Sequence, residues 1–120
     1  MDNGNGALET LREAGIDVDG AMARMSNNKT LYLRMLAKFV KDATFGKLRD
    51  QVLAGDPQAG NSAHALKGMC ATLGMTKLSE YCATLQYMYQ GREEGDPNCV
   101  FAQASEAYEA AIAALERVAP

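Results

Sequence analysis

Punctuation is what most limits the fold of this chain. Gly55-Asp56-Pro57 and Gly95-Asp96-Pro97 repeat one stop-and-start signal, in which glycine ends a helix, aspartate caps the next and proline takes its first position. Elsewhere the apolar residues recur at helical spacing, and no segment alternates as a strand would. From Asn28 as N-cap, Leu31, Met35, Leu36, Phe39 and Val40 share a face that Phe45, Leu48, Val52 and Leu53 continue, so one long helix bent near Gly46 and closed by Gly55 is expected. Asp56-Pro57 opens a helix ending near Gly74. Thr76 is expected to cap a third, carrying Leu78, Tyr81, Cys82, Leu85 and Met88 into the polar stretch Gly91-Arg92-Glu93-Glu94-Gly95. Asp96-Pro97 opens the last, with Val100, Phe101, Ala104, Tyr108, Ala111, Ile112 and Leu115, running almost to Pro120. Ahead of them lie two short pieces, Ala7 to Ala14 stopped by Gly15, and Val18 to Met25.

Four amphipathic helices on short connections cover one another's apolar faces most simply as an antiparallel four-helix bundle. The expected class is therefore all-α, a single domain over 1–120 with an additional short N-terminal helical segment as brace and a flexible start over residues 1–6. A coiled coil is excluded because no apolar heptad runs far without a Gly or Pro break. A net charge of -3 with no dense Lys/Arg cluster argues against nucleic acid. No stretch reaches the ~18 apolar residues of a membrane span, and the polar start lacks the regions of a signal peptide, so a cytoplasmic location is expected. Cys70, Cys82 and Cys99 are odd in number and read as small reduced core residues. A bundle that closes its own core has no need to dimerise, so a monomer is expected.

The chain has one histidine, His64, in the run Ala63-His64-Ala65-Leu66-Lys67-Gly68. On a helix, Gly60, Asn61, Lys67, Gly68, Ala71 and Met75 fall within about 60° of it, while Leu66 and Leu73 fall opposite. With the leucines inward, His64 faces water from a stripe almost free of bulky side chains, open to another molecule. Met75 on that stripe would offer an adaptable thioether, and Met69 would turn sideways into packing.

The run His64-Ala65-Leu66-Lys67-Gly68, followed by Leu73-Gly74 and by Leu78, Cys82 and Leu85, resembles the histidine-containing phosphotransfer (HPt) domain of multistep phosphorelays. The segment from Asn28 through Leu31-Tyr32 and Leu36 to Phe39 is similar to that family's long second helix. The resemblance implies a carrier that takes a phosphoryl group from a receiver-domain aspartate and passes it to another, with receiver domains of hybrid histidine kinases and response regulators as partners. It makes His64 the phosphoacceptor, Lys67 the cation beside the phosphoryl group and Gly68 the residue that leaves room for the partner, with docking through Gly60, Asn61, Ala71 and Met75. The chain departs from the family pattern at Met69, where a small or hydroxylated residue is common, at Met75, where alanine is frequent, and at Gln86, where glutamate is frequent.

Chemistry agrees with those roles. A neutral imidazole is a competent nucleophile near neutral pH, and an ammonium one turn away offsets negative charge on a bound phosphoryl group. Such transfer depends on alignment and charge neutralisation, so the carrier needs no cofactor of its own if the receiver brings Mg²⁺ and an acidic pocket. No phosphate-cradling loop or nucleotide motif is present, so kinase activity from ATP is not expected. The competing readings are an HPt-like adaptor that docks receivers or kinases without carrying phosphate and, ranked last, an enzyme in its own right. A zinc site from His64 and the cysteines matches no compact ligand spacing. Phe39 reads as core, Phe45 stands between core and docking edge, and Tyr81, Tyr87, Tyr89 and Tyr108 read as packing.

Overall fold

The computed structural model describes residues 3–118. They form seven helices and, among these residues, no strand: α1 (Asn3–Glu13), α2 (Val18–Arg24), α3 (Lys29–Lys41), α4 (Thr44–Ala54), α5 (Ala59–Leu73), α6 (Thr76–Tyr89) and α7 (Pro97–Val118). Of the expected flexible start, residues 1 and 2 lie outside the described residues, while residues 3–6 belong to α1. That helix begins ahead of the Ala7 start expected from sequence. None of the helices is long and apolar enough to cross a membrane.

Asn28 caps α3 as expected, its side chain accepting from the Leu31 N–H at 3.0 Å. The long helix expected from that cap is two. The break falls at Asp42-Ala43 rather than at Gly46, which lies inside α4. Asp42 adopts extended backbone (φ -72, ψ 135), and its Oδ1 accepts from the Thr44 N–H at 2.8 Å. A carboxylate serving the next helix's first turn outweighs the mild helix penalty of a glycine. The two Asp-Pro steps also differ. Asp96 Oδ1 accepts from the Asn98 N–H at 2.9 Å and α7 starts at Pro97, whereas Asp56 Oδ1 accepts from the Gln58 N–H at 2.8 Å in a lead-in turn before α5. Thr76 is the first helical residue of α6 and not its cap; Met75 holds that place with no side-chain hydrogen bond.

Helices α4 to α7 make the bundle: α5 pairs with α4 and α6, and α7 closes it against α4 and α6. Helix α3 packs on α7 and α5, while α1 lies on α7 and α2 on α1, α3 and α5. The result measures 49 × 23 × 20 Å. Its interior is aliphatic along most of its length, with Leu11, Leu48, Leu66, Leu78, Leu85 and Leu115 fully buried. Where α4 meets α7 the filling is aromatic: the Phe45 ring lies parallel to Tyr108 at 3.9 Å between centroids, with Phe101 at 5.2 Å on Phe45. Phe45 is therefore core like Phe39, not a docking edge.

The N-terminal helices close the end of α5. A helix leaves its last carbonyls without partners, and here they are supplied from far along the chain. Arg24 Nη2 donates to the carbonyls of Ala71 at 2.6 Å and Thr72 at 3.3 Å, and the buried Tyr32 hydroxyl donates to that of Leu73 at 2.9 Å. The Asp17 N–H donates to the Gly74 carbonyl at 2.8 Å. Gly74 turns the chain with φ +88, and a Cβ there would collide with the Asp17 backbone. Gly55 has φ +66 but open space around it. Gly74→Ala is therefore expected to cost at least ~2 kcal/mol, against ~1 kcal/mol for Gly55→Ala, where left-handed strain acts without a collision. Urea denaturation of the two variants measures the difference.

Burial, with Asp17 nearby, raises the Tyr32 phenol from 10.0 to about 12. Burial raises Cys82 from 9.0 to about 12 and pushes the Cys70 thiol up as well. Each group is held neutral in the fold, so its contribution is fully present below its unfolded pKa and lost as pH climbs toward the folded value. Stability should fall from about pH 9 upward. Tyr32→Phe should start ~1–2 kcal/mol lower, with the Leu73 carbonyl unpaired, yet decline less steeply between pH 10 and 12. Chemical denaturation across that range provides the check.

Candidate functional site

Helix α5 has two faces of different composition. Ala59, Ser62, Ala63, Leu66, Cys70 and Leu73 point inward, whereas Asn61, His64, Ala65, Gly68 and Ala71 are exposed. The leucines thus lie opposite the histidine, as the spacing predicts. Two hydrogen bonds hold the helix on its flanks: Ser62 Oγ donates to Gln51 Oε1 of α4 at 2.6 Å, and Ser79 Oγ of α6 donates to the Lys67 carbonyl at 3.0 Å. His64 projects to solvent between these ties, one turn before the half-buried Lys67, which makes no ion pair among the described residues. Asn61 Nδ2 donates to Gln58 Oε1 at 2.6 Å, one turn before His64.

The six residues expected around His64 do not form one surface. Asn61, Gly68 and Ala71 lie open beside it, with Lys67 at the edge. Gly60 is buried: α6 crosses so closely that a Cβ on Gly60 would stand 2.9 Å from Tyr89 Cβ. Its smallness serves helix packing, not docking. Met75 is also withdrawn, with only 4 % of its surface exposed. The left-handed Gly74 takes the chain out of α5 before Met75 is reached, so an angle counted along that helix no longer applies. A Cβ added at Gly68, by contrast, would meet nothing within 4 Å. Met69 is half-buried and packs against the core, as expected.

The cysteines divide as well. Cys70 and Cys82 are buried as expected, but Cys99 is exposed in the first turn of α7, its Sγ 3.7 Å from Asp96 Oδ2. The spacing that gives α7 its apolar face begins one residue later, at Val100. Among the described residues, no group of three or more His, Cys, Asp or Glu side chains is arranged to hold a metal. Two residues near the site have surroundings that the sequence did not reveal: Gln86, noted there only as a departure from the family pattern, and Arg24. Gln86 on α6 is only 9 % exposed beside Gly60, and its Oε1 has no hydrogen-bond partner among the described residues. Arg24 sits at the Ala71 end of the exposed face through its two carbonyl bonds. Helical periodicity within α6 could have marked Gln86 as inward-facing, but nothing local links Arg24 to a carbonyl 47 residues on.

The family model described as the Hpt domain matches residues 34–118. The chain belongs to that family, the histidine phosphotransfer domains of two-component signalling, and the all-α bundle is the fold expected of it. No curated protein and no solved structure matches the chain.

The two glycines flanking His64 give opposite expectations. Gly68→Ala should gain ~0.5–1 kcal/mol, because an unobstructed helical site simply exchanges glycine for the better helix former. Gly60→Ala should lose ~1–3 kcal/mol through overpacking against Tyr89. Thermal unfolding of both variants separates clearance from packing.

Proposed function

We propose that the chain is a phosphorelay carrier in which His64 receives a phosphoryl group from the aspartyl phosphate of one receiver domain and delivers it to the aspartate of another. The observation that carries this reading is an exposed imidazole on a face of small side chains, Ala65, Gly68 and Ala71, with an ammonium one turn away. The unprotonated ring nitrogen attacks phosphorus; an N–P bond forms as the aspartyl O–P bond breaks, and the donor carboxylate is regenerated. Onward transfer reverses these roles with a second carboxylate. In-line approach requires the receiver's rim to come close to α5, and Gly68 leaves that path clear.

Lys67 offsets the charge of the phosphorylated ring, while Asn61 and Ala71 meet the receiver on either side of His64. Mg²⁺ and the acidic pocket come with the receiver, so the carrier supplies a nucleophile and a shape. The partners are receiver domains of hybrid kinases and response regulators, the compartment is the cytoplasm, and the chain acts as a monomer without kinase activity toward ATP.

Phosphotransfer from a panel of phosphorylated receiver domains tests the reading. Wild type should acquire acid-labile, base-stable phosphate, and His64→Gln should acquire none while still binding the receiver. Lys67→Ala should slow transfer by about five- to tenfold, the kinetic equivalent of ~1 kcal/mol for a partly exposed charge. Receiver binding without transfer by wild type would make the chain a docking adaptor instead.

A further inference from the structure

A second surface lies on α3 and α7, to which α5 contributes no residue. Leu33, Leu36, Ala37 and Val40 of α3 and Leu115 and Val118 of α7 line a groove of about 430 Å³, edged by Arg34 and Lys41. This volume lies within the ~300–1,000 Å³ range of clefts that hold specific ligands. The residues of α3 arrange themselves as two adjacent stripes. Leu33, Ala37 and Val40 follow i, i+4, i+7 spacing along the groove, and Arg34, Lys38 and Lys41 repeat that spacing one residue over.

Charge distribution points to the occupant. In a chain of net charge -3, the thirteen residues of α3 hold four of the twelve cations and none of the fifteen acids. Arg34, Lys38 and Lys41 are exposed and make no ion pair among the described residues. Lys38 and Lys41 stand in the last turn, where the helix dipole favours cations, but Arg34 in the middle gains nothing from that field. An apolar trough beside a row of unpaired cations matches a helix with an apolar stripe flanked by carboxylates. A bilayer would meet this surface poorly, because Leu36 and Leu115 are buried at the floor and do not project.

We propose that the α3/α7 groove docks an acidic amphipathic helix of a partner protein and thereby holds the chain through a surface that includes no residue of α5. This inference is independent of the phosphorelay reading. His64→Gln should leave it untouched.

The experiment is fluorescence anisotropy with a labelled ~16-residue helical peptide, long enough to span α3, bearing leucines at i, i+3, i+4 and i+7 and glutamates beside them. A matched peptide with lysines replacing the glutamates is the control. The acidic peptide should bind saturably, with a dissociation constant on the order of micromolar, and weaken with added salt. Lys38→Glu with Lys41→Glu, and separately Ala37→Glu, should each weaken it at least ~10-fold; these positions are exposed, and circular dichroism confirms the fold of each variant. Absence of saturable binding, equal binding of both peptides, or binding indifferent to these substitutions overturns the proposal. So does self-association through this face on analytical ultracentrifugation, or capture by anionic phosphatidylglycerol vesicles in place of the peptide.

Discussion

The position of His64 depends on how the far end of its helix is closed. The last turn of α5 presents carbonyls that the helix itself leaves open, and burying them unpaired would cost several times the net worth of an ordinary hydrogen bond. The partners come from Asp17, Arg24 and Tyr32, all of which precede the carbonyls they bond by more than forty residues. Met75 closes one more, its N–H donating to the Cys70 carbonyl at 2.8 Å. Asp17 and Arg24, and also Tyr32, precede the residues matched by the family model, which begin at Arg34. The N-terminal helices are thus not an appendage to the bundle; they complete the helix that carries the histidine.

That closure fixes rotation as well as length. With α5 tied at its end and along both flanks through Ser62–Gln51 and Ser79–Lys67, its leucine face cannot turn outward without breaking bonds to four other helices. Gly60 allows α6 to approach closely enough to make one flank tight, and Gly68 leaves the exposed surface beyond His64 bare. Two glycines equally spaced from His64 therefore act on different objects: the first on a neighbouring helix of the same chain, the second on the space above it.

Most of the architecture is legible in the sequence because its signals are local. Asn28, Gly55, Gly74 and Asp96-Pro97 mark ends through backbone geometry and short-range hydrogen bonds, which need no knowledge of the rest of the fold. The features that periodicity misplaces share the opposite property. The break at Asp42 turns on an aspartate's bond to Thr44, set against an apolar pattern that runs on without interruption. Helical angle alone puts Gly60 and Met75 on the histidine face, but one is covered by α6 and the other lies past the turn. Periodicity says which residues share a face of one helix; it does not say which neighbour lies across it, nor where the helix axis ends.

The same distinction separates the two faces of the molecule in chemical terms. Around His64 the exposed side chains are small, so complementarity must come from the shape and charge of whatever approaches, and little binding energy is fixed by the chain itself. Along α3 the opposite holds: bulky apolar residues line a groove and unpaired cations edge it, a surface whose binding energy resides in the chain. A carrier that served successive partners through the first face would gain from weak, easily reversed contact there, since affinity differences between related complexes are expressed chiefly as slower release. Retention, if the chain is retained anywhere, is then better assigned to a surface that does not have to let go at each transfer, and α3 with α7 is where the structure offers one.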